Sequence, residues 1–479
     1  MRIYDWGTAT MIAERQYRSA LIAREFYLEA LGNVPQWRLS AVRSAVAYEH
    51  ALEPPLMEWI SAQVYLIQGG ESLWVPRFLS LTCWLVGGWF LFRIAQRFAP
   101  PPVALGLTAY YLLLPLGVNV SVSFLPDSLM IMLFLASLLT IQRYFERRTG
   151  GRLIACSLVS AAAVAVKPLC LFVVLGAFVG MAVHAGRQRR RLVDLHSVVF
   201  LICVLVLGTG YYIYGMLLDD YMSVQAQNSF APRVLFMREF WVGWPLYAGG
   251  AVGYTPLILG LLGIPLHRGS QRGLVLGLWV GYVIFCFVFA YHVHITGHYH
   301  LQLVPVVALS AAPLVTSLFE RGRPWLRSWL SRVALSTAVL LALGFTLFEI
   351  HGRFVNRRPF ESPEMARQIG ALVGHSTRVI FISSYYGVPL EYYGEMAGKS
   401  WPRPLRHEAF REPGTGRHTI AERLATLGMT PEYFVITDFA EFESHHRDLA
   451  LFLNRRCRGL AGSERYLVYD VRDCVRQRS

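Results

Sequence analysis

From Val75 onward the chain is a series of apolar runs separated by short polar gaps. The runs fall at roughly 75–95, 102–120, 124–142, 153–166, 169–185, 196–217, 244–264, 273–291, 301–319 and 333–350. About 20 apolar residues in a helix cover the hydrocarbon thickness of a bilayer, so the pattern predicts ten membrane crossings. The core helices of a soluble protein would not recur so often with so little charge. The fourth and fifth runs are short and meet at Lys167-Pro168, which predicts a helical hairpin with its tip near the outer face.

The two ends of the chain read differently. Residues 14–31 have helical periodicity, with Tyr17, Leu21, Leu28 and Leu31 on one face and Glu14, Arg15, Arg18, Glu25 and Glu29 on another. Arg24 projects from the apolar side. A second short helix is expected over 40–50, and Pro54-Pro55 breaks the chain before a third over 56–68. In residues 351–479 alternation replaces the long runs. Thr377–Ser384, Glu432–Asp438 and Tyr466–Val471 read as strands, and 417–427 and 440–454 as helices. The expected fold is mainly α: a polytopic transmembrane helix bundle over 75–350, preceded by a first extracytoplasmic loop with amphipathic helices over 1–74 and followed by a small extracytoplasmic α/β domain over 351–479.

Composition agrees with that organisation. The chain is 54% hydrophobic and 16% charged, against about 25% charged in soluble domains. The net charge of +14 would suit a nucleic-acid binder, but its distribution argues against one. Arginines cluster in alternate gaps: Arg93 and Arg97; Arg143, Arg147, Arg148 and Arg152; Arg187, Arg189, Arg190 and Arg191; Arg268 and Arg272; Arg321, Arg323, Arg327 and Arg332. By the positive-inside rule these gaps are cytoplasmic and the long polar loops lie outside. The first loop would then need something to carry it across, and Met1–Thr10 is too short to do so; either the first span carries it or, as the favoured expectation, a helix lies upstream of this sequence. Cys83, Cys156, Cys170, Cys203 and Cys286 sit within apolar runs as small hydrophobes. Cys457 and Cys474 lie in the C-terminal region, where an oxidising compartment would allow them to pair.

Candidate chemistry lies in the outward loops. Glu53, ahead of Pro54-Pro55, has the character of a general base or a metal ligand. Asp127 follows Pro126 at the start of a run, where an acid also favours helix initiation. Lys167, one of two lysines in the chain, is costly between apolar half-helices unless paired, solvated or bound to a phosphate. His292, His294, His298 and His300 are close in sequence but lack a strict zinc spacing, and interfacial contacts to lipid headgroups or phosphate suit them as well. Arg15, Arg18 and Arg24 have the forked geometry that clamps phosphate, or form a solvated charged face. Walker-type, dinucleotide-binding and Cys-x-x-Cys signatures are missing, as is an inverted transporter repeat.

Several short motifs together resemble a known family. They are Arg15-Gln16-x-x-Ser19-Ala20-x-Ile22-Ala23-Arg24; Glu53-Pro54-Pro55-Leu56 with Trp59; Phe124-Leu125-Pro126-Asp127-Ser128-Leu129; Val166-Lys167-Pro168; and His298-Tyr299-His300-Leu301-x-Leu303-Val304-Pro305. Across residues 14–320 the chain resembles the polyprenyl-phosphate-dependent C-type membrane glycosyltransferases, in the branch of protein mannosyltransferases and lipid A aminoarabinose transferases. The resemblance implies inverting transfer of a sugar from a polyprenyl-phosphate donor to a lipid, glycan or protein acceptor outside the cytoplasm, at a bacterial inner membrane.

What it implies for the site follows. Many relatives carry an aspartate in the first-loop helix that is taken as the base; here Arg15, Gln16, Tyr17 and Arg18 occupy that region. The base therefore falls to Glu53, Glu14 or Asp127. The donor phosphate falls to Arg15, Arg18, Arg24, Lys167, His298 and His300, with a divalent metal bridging Glu53 and the phosphate as a further option. Two other classes fit less well. A polymerase or ligase using a diphosphate-linked glycan would carry its large loop late in the chain. A non-enzymatic transporter would carry ionisable residues deep in its spans, and apart from Lys167 the spans here are nearly free of charge.

Overall fold

The computed structural model describes residues 13–49, 52–189, 194–218, 220–322, 362–402 and 419–476, with the single positions 329, 333, 337 and 344. The expected tenth span, 333–350, lies outside the continuously described residues, as do Met1–Thr10, His50 and the arginines at 190, 191, 323, 327 and 332. Two compact units emerge. One gathers the described residues of Met1–Ala51, Met57–Val75 and Asn356–Ser479; the other gathers those of Leu52–Leu56 and Pro76–Val355.

The first unit opens with α1 (Ala13–Leu31), α2 (Gln36–Glu49) and most of α3 (Leu56–Gln68). The apolar face expected of α1 is buried at Tyr17, Leu21 and Leu28, but Leu31 is 46% exposed. It ends the helix, and Gly32 turns the chain away at φ +68°. The same unit contains a five-stranded sheet of β1 (Val379–Ile382), β2 (Gly398–Ser400), β3 (Tyr433–Ile436), β4 (Arg458–Gly462) and β5 (Leu467–Asp470). The order is β2-β1-β3-β5-β4; β1 is parallel to β2 and β3, and β5 is antiparallel to β3 and β4. The strands expected from alternation are β1, β3 and β5. The short β2 and the glycine-bearing β4 give little hydrophobic signal. β1 is buried on both faces: Val379 and Phe381 pack with Met365, Ile369 and Leu390, while Ile380 and Ile382 pack with Trp401, Phe434 and Leu449. Cys457 and Cys474 form a disulfide beside the second of these cores.

The second unit is a helical bundle of α4 (Trp74–Ala95), α5 (Pro101–Leu113), α6 (Pro115–Ser121), α7 (Asp127–Glu146), α8 (Gly150–Val166), α9 (Leu171–Arg189), α10 (Leu195–Leu218), α11 (Asp220–Ser229), α12 (Arg238–Val252), α13 (Tyr254–Gly263), α14 (Gly269–Val288), α15 (Ala290–Val293) and α16 (Leu303–Gly322). Among the described residues, six helical stretches are long and apolar enough to cross a membrane: 74–95, 127–146, 168–186, 195–218, 269–288 and 303–322. The protein is an integral membrane protein.

Two expected spans are broken. The run at 102–120 is α5 and α6, bent by 63°. Leu114 adopts an extended ψ of 131° because Pro115 disfavours helical backbone in the residue before it. The run at 244–264 is α12 and α13, bent by 97° at Gly253, whose φ of +83° suits glycine. Close packing of α9 on α14 depends on missing side chains: a Cβ on Gly176 would lie 2.2 Å from the Gly277 carbonyl oxygen.

Candidate active site

The hairpin between α8 and α9 turns at Lys167, whose backbone is extended (φ −160°, ψ 120°) ahead of a short 3-10 turn, Pro168–Cys170. Pro168 lacks an N–H and cannot continue α8. The Tyr212 hydroxyl donates to the Ala165 carbonyl at 3.0 Å, anchoring the end of α8 against α10. Held this way, Lys167 is buried rather than snorkelling to the surface. Its ammonium donates to both carboxylate oxygens of Asp127, each at 2.9 Å, and both side chains are 4% exposed. Asp127 opens α7 directly after Pro126, with Phe124 and Leu125 buried just before it. Two residues 40 positions apart thus form one dry ion pair.

Glu53 belongs to the same unit and precedes Pro54-Pro55 and α3. It is half-buried, and the Tyr211 hydroxyl lies 3.5 Å from its carbonyl oxygen. The histidines between α14 and α16 have separate tasks. His292 pairs with the Ser229 hydroxyl at 3.0 Å, His294 with the Ala290 carbonyl at 2.8 Å and His298 with the Thr296 hydroxyl at 2.7 Å. His300 is wholly buried; its Nε2 donates to the Val293 carbonyl at 2.9 Å, so Nδ1 accepts from the Tyr282 hydroxyl at 2.7 Å. That neutral ring closes the loop and leaves neither nitrogen for a donor phosphate.

The arginines of α1 lie in the other unit and meet carboxylates. Arg18 binds Glu49, through Nε at 3.0 Å, and Glu14 at 3.2 Å. Burial raises the Glu14 pKa, and Arg18 acts against that rise. Arg24 is 7% exposed. Its Nε donates to Glu71 at 2.7 Å, Nη1 donates to the Tyr392 carbonyl, and the guanidinium lies 3.9 Å from the Tyr392 ring centroid. Burial opposes its charge, but Glu71 outweighs it and the pKa is raised. Arg38 extends the chain of charges, binding Glu71 at 3.2 Å and Glu395 at 2.7 Å. Arg15 is half-buried and is a charged neighbour of Glu14.

Several polar residues carry no sequence signal. Glu71, Tyr392 and Glu395 stand tens to hundreds of positions from their partners. Gln302 is 1% exposed, and neither its amide nitrogen nor its oxygen has a hydrogen-bond partner among the described residues. It occupies the unassigned position in the motif from His298 to Pro305. The buried Asn119 amide nitrogen is likewise unpaired. Such groups are uncommon in a dry interior and fit a polar ligand or water. Among the described residues no three His, Cys, Asp or Glu side chains converge to hold a metal. Glu53 alone would leave most of a metal's shell to phosphate and water.

Residues 52–211, which include Glu53, Asp127 and Lys167, match the family model described as dolichyl-phosphate-mannose-protein mannosyltransferase. No curated protein matches. Apo ArnT from Cupriavidus metallidurans superposes with a TM-score of 0.58 at 16% identity, covering 95% of this chain and 92% of that one. ArnT from the same organism bound to undecaprenyl phosphate superposes with a TM-score of 0.56 at 15% identity, covering 95% and 93%. The chain therefore has the C-type fold of membrane glycosyltransferases and, over its 52–211 segment, the sequence pattern of the protein mannosyltransferase family.

Proposed function

We propose that the protein moves a sugar from a polyprenyl-phosphate donor to an acceptor on the extracytoplasmic side of a bacterial inner membrane, with inversion at the anomeric carbon. One observation carries this reading: the family-matched segment 52–211 contains the candidate base and the candidate cation in one unit, with Glu53 on its first loop and the buried Asp127–Lys167 pair at the hairpin tip. ArnT's complex with undecaprenyl phosphate supports a polyprenyl-phosphate donor here. The arginine-rich gaps and the Cys457–Cys474 disulfide support an outward C-terminal sheet.

In this reading the acceptor oxygen attacks the anomeric carbon as the carbon–oxygen bond to the phosphate breaks. The polyprenyl phosphate leaves with the bonding pair, and a carboxylate takes the acceptor proton. Glu53 is the first candidate for that base, with Glu14 and Asp127 as the others. Lys167 is the cation for the departing phosphate. A phosphate arriving at Lys167 competes with Asp127 for the same ammonium protons, so donor binding would loosen the ion pair. Glu53 would be the residue to hold a divalent metal, which when bound would supply Lewis-acid stabilisation, and no step above depends on one.

The test is transfer of radiolabelled sugar from synthetic polyprenyl-phosphate donors by purified protein, wild type against Glu53→Gln. Loss of a positioned base lowers kcat by about 10²–10⁴-fold. Full activity in the variant would move the base to Glu14 or Asp127. Failure of the wild type to use any monophosphate donor would defeat the proposal.

A further inference from the structure

The helical bundle contains a cavity that sugar transfer at Glu53 and Lys167 does not use. Four helix ends border it: the turn after α4, the C-terminal turns of α7 and α9, and the first turn of α14. Its volume is about 410 Å³, within the roughly 300–1,000 Å³ of small-molecule sites. Asp127 opens α7 and Glu146 closes it. The cavity therefore lies roughly 28 Å along that helix from the Asp127–Lys167 pair, at about 1.5 Å per residue. Each of the four helix ends adjoins an arginine-rich gap, so this is the end that the positive-inside rule assigns to the cytoplasm.

Local packing sets the polar side chains around it. The Gln271 amide donates to the Arg97 carbonyl, fixing the turn after α4 against α14. Helices α9 and α14 approach so closely that a Cβ on Gly273 would lie 2.6 Å from the Gly180 carbonyl oxygen and 3.0 Å from the His184 Cβ. His184 thus stands beside the start of α14. Arg97 reaches the end of α7: Nη1 donates to Gln142 at 3.2 Å, and Nε lies 3.0 Å from Glu146 Oε1. These contacts leave groups over. Among the described residues, Arg97 Nη2, Glu146 Oε2 and the half-buried His184 imidazole have no hydrogen-bond or ion-pair partner. The Arg97 and Glu146 side chains are 30% and 50% exposed, so both are open to a ligand. Phe145 and Met181 supply an apolar wall. The same cavity therefore offers spare guanidinium donors, an imidazole that carries an N–H in either protonation state, and a spare carboxylate oxygen.

We propose that this cavity binds a phosphoethanolamine group, the headgroup of a zwitterionic phospholipid. The phosphate takes the free side of the Arg97 fork and the His184 N–H, and the primary ammonium takes Glu146 Oε2. Basic pockets between membrane helices on the cytoplasmic side recognise phospholipid headgroups. The carboxylate in this one disfavours a purely anionic headgroup, as Arg97 disfavours a purely cationic ligand. Phe145 and Met181 suit the glycerol and chain end of a lipid. The inference does not rest on the glycosyltransferase reading, because its site is at the other end of the helices.

The experiment titrates the purified full-length protein in detergent with palmitoyl-oleoyl phosphatidylethanolamine, phosphatidylglycerol and phosphatidylcholine, and with soluble O-phosphoethanolamine. Native mass spectrometry counts the molecules bound. One phosphatidylethanolamine should bind at least about tenfold more tightly than the other two lipids, since phosphatidylglycerol lacks the ammonium and phosphatidylcholine lacks its N–H donors. Glu146→Gln should erase that preference while leaving phosphatidylglycerol binding unchanged or stronger. Its Tm should move little, because the ion pair it removes is partly exposed. Arg97→Gln should weaken all three lipids together. Binding of the lipid without the soluble compound assigns the site to a lipid headgroup; equal binding of the soluble compound assigns it to the free molecule of the same chemistry. No preference for either phosphoethanolamine probe, tighter phosphatidylglycerol binding by the wild type, or a preference that survives Glu146→Gln would overturn the proposal.

Discussion

Two buried cations in this protein are held in opposite ways. Arg24 sits in the unit with the sheet, engaged by Glu71, the Tyr392 carbonyl and the Tyr392 ring, and Arg38 links Glu71 onward to Glu395. Charges alternate along that network, and the planar guanidinium reaches several partners at once. Lys167, in the helical unit, faces Asp127. A buried ion pair contributes little net stability, because desolvation offsets much of the attraction. Its geometry is also simple enough to be exchanged: an ammonium is a point charge on a flexible stem, and an incoming phosphate can replace a carboxylate. The network ties distant segments of the chain together, whereas the proposed role of the pair requires it to open to a phosphate.

The largest effect is expected at the pair. Lys167→Met removes the ammonium that faces a buried carboxylate and should cost about 3–5 kcal/mol, read by thermal unfolding in detergent. Lys167→Met/Asp127→Leu should recover most of that stability and none of the sugar transfer. Recovery of both would mean that the pair is packing alone.

Arg24→Lys tests the other side of the comparison. It keeps the charge and loses the fork, so stability should fall by about 1–3 kcal/mol. The kcat and KM of the folded fraction should hold. A tenfold rise in the donor KM would instead place Arg24 on the phosphate.

The smallest effect concerns Glu25, half-buried on the same helix. Burial, with Glu29 adding repulsion, raises its pKa from 4.5 to about 7. The folded protein therefore holds that proton more tightly than the unfolded chain. Stability from this group is full below pH 4.5, declines as pH rises toward 7, and is flat above. Glu25→Gln should remove that decline, giving a variant with a Tm above the wild type at pH 8 and close to it near pH 4. An unchanged pH profile would place the Glu25 carboxyl in water.

Much of the architecture was legible because membrane helices report their own length and composition. Spans such as 75–95 and 196–217 fall within a residue or two of α4 and α10. The breaks in the second and seventh spans were missed, since Pro115 and Gly253 interrupt geometry without interrupting hydrophobicity. The sheet was half legible: β1, β3 and β5 alternate or carry apolar runs, while β2 is three residues long. Arg24 stood out as a charge on an apolar face, yet Glu71 and Tyr392 could not be named as its partners. Lys167 and Asp127 were each singled out, but as separate candidates.

The sequence by itself determined the apolar spans, the arginine-rich gaps, the hairpin turn at Lys167-Pro168 and the list of acids and cations available for chemistry. All of these follow from local composition and from backbone rules that act over a few residues. Only the tertiary structure decided which charge neutralises which. Pairing energies depend on distance and burial, and Arg24 and Tyr392 are 368 residues apart in the chain. The same holds for the parallel pairing of β1 with β3, which joins chain segments some fifty residues apart.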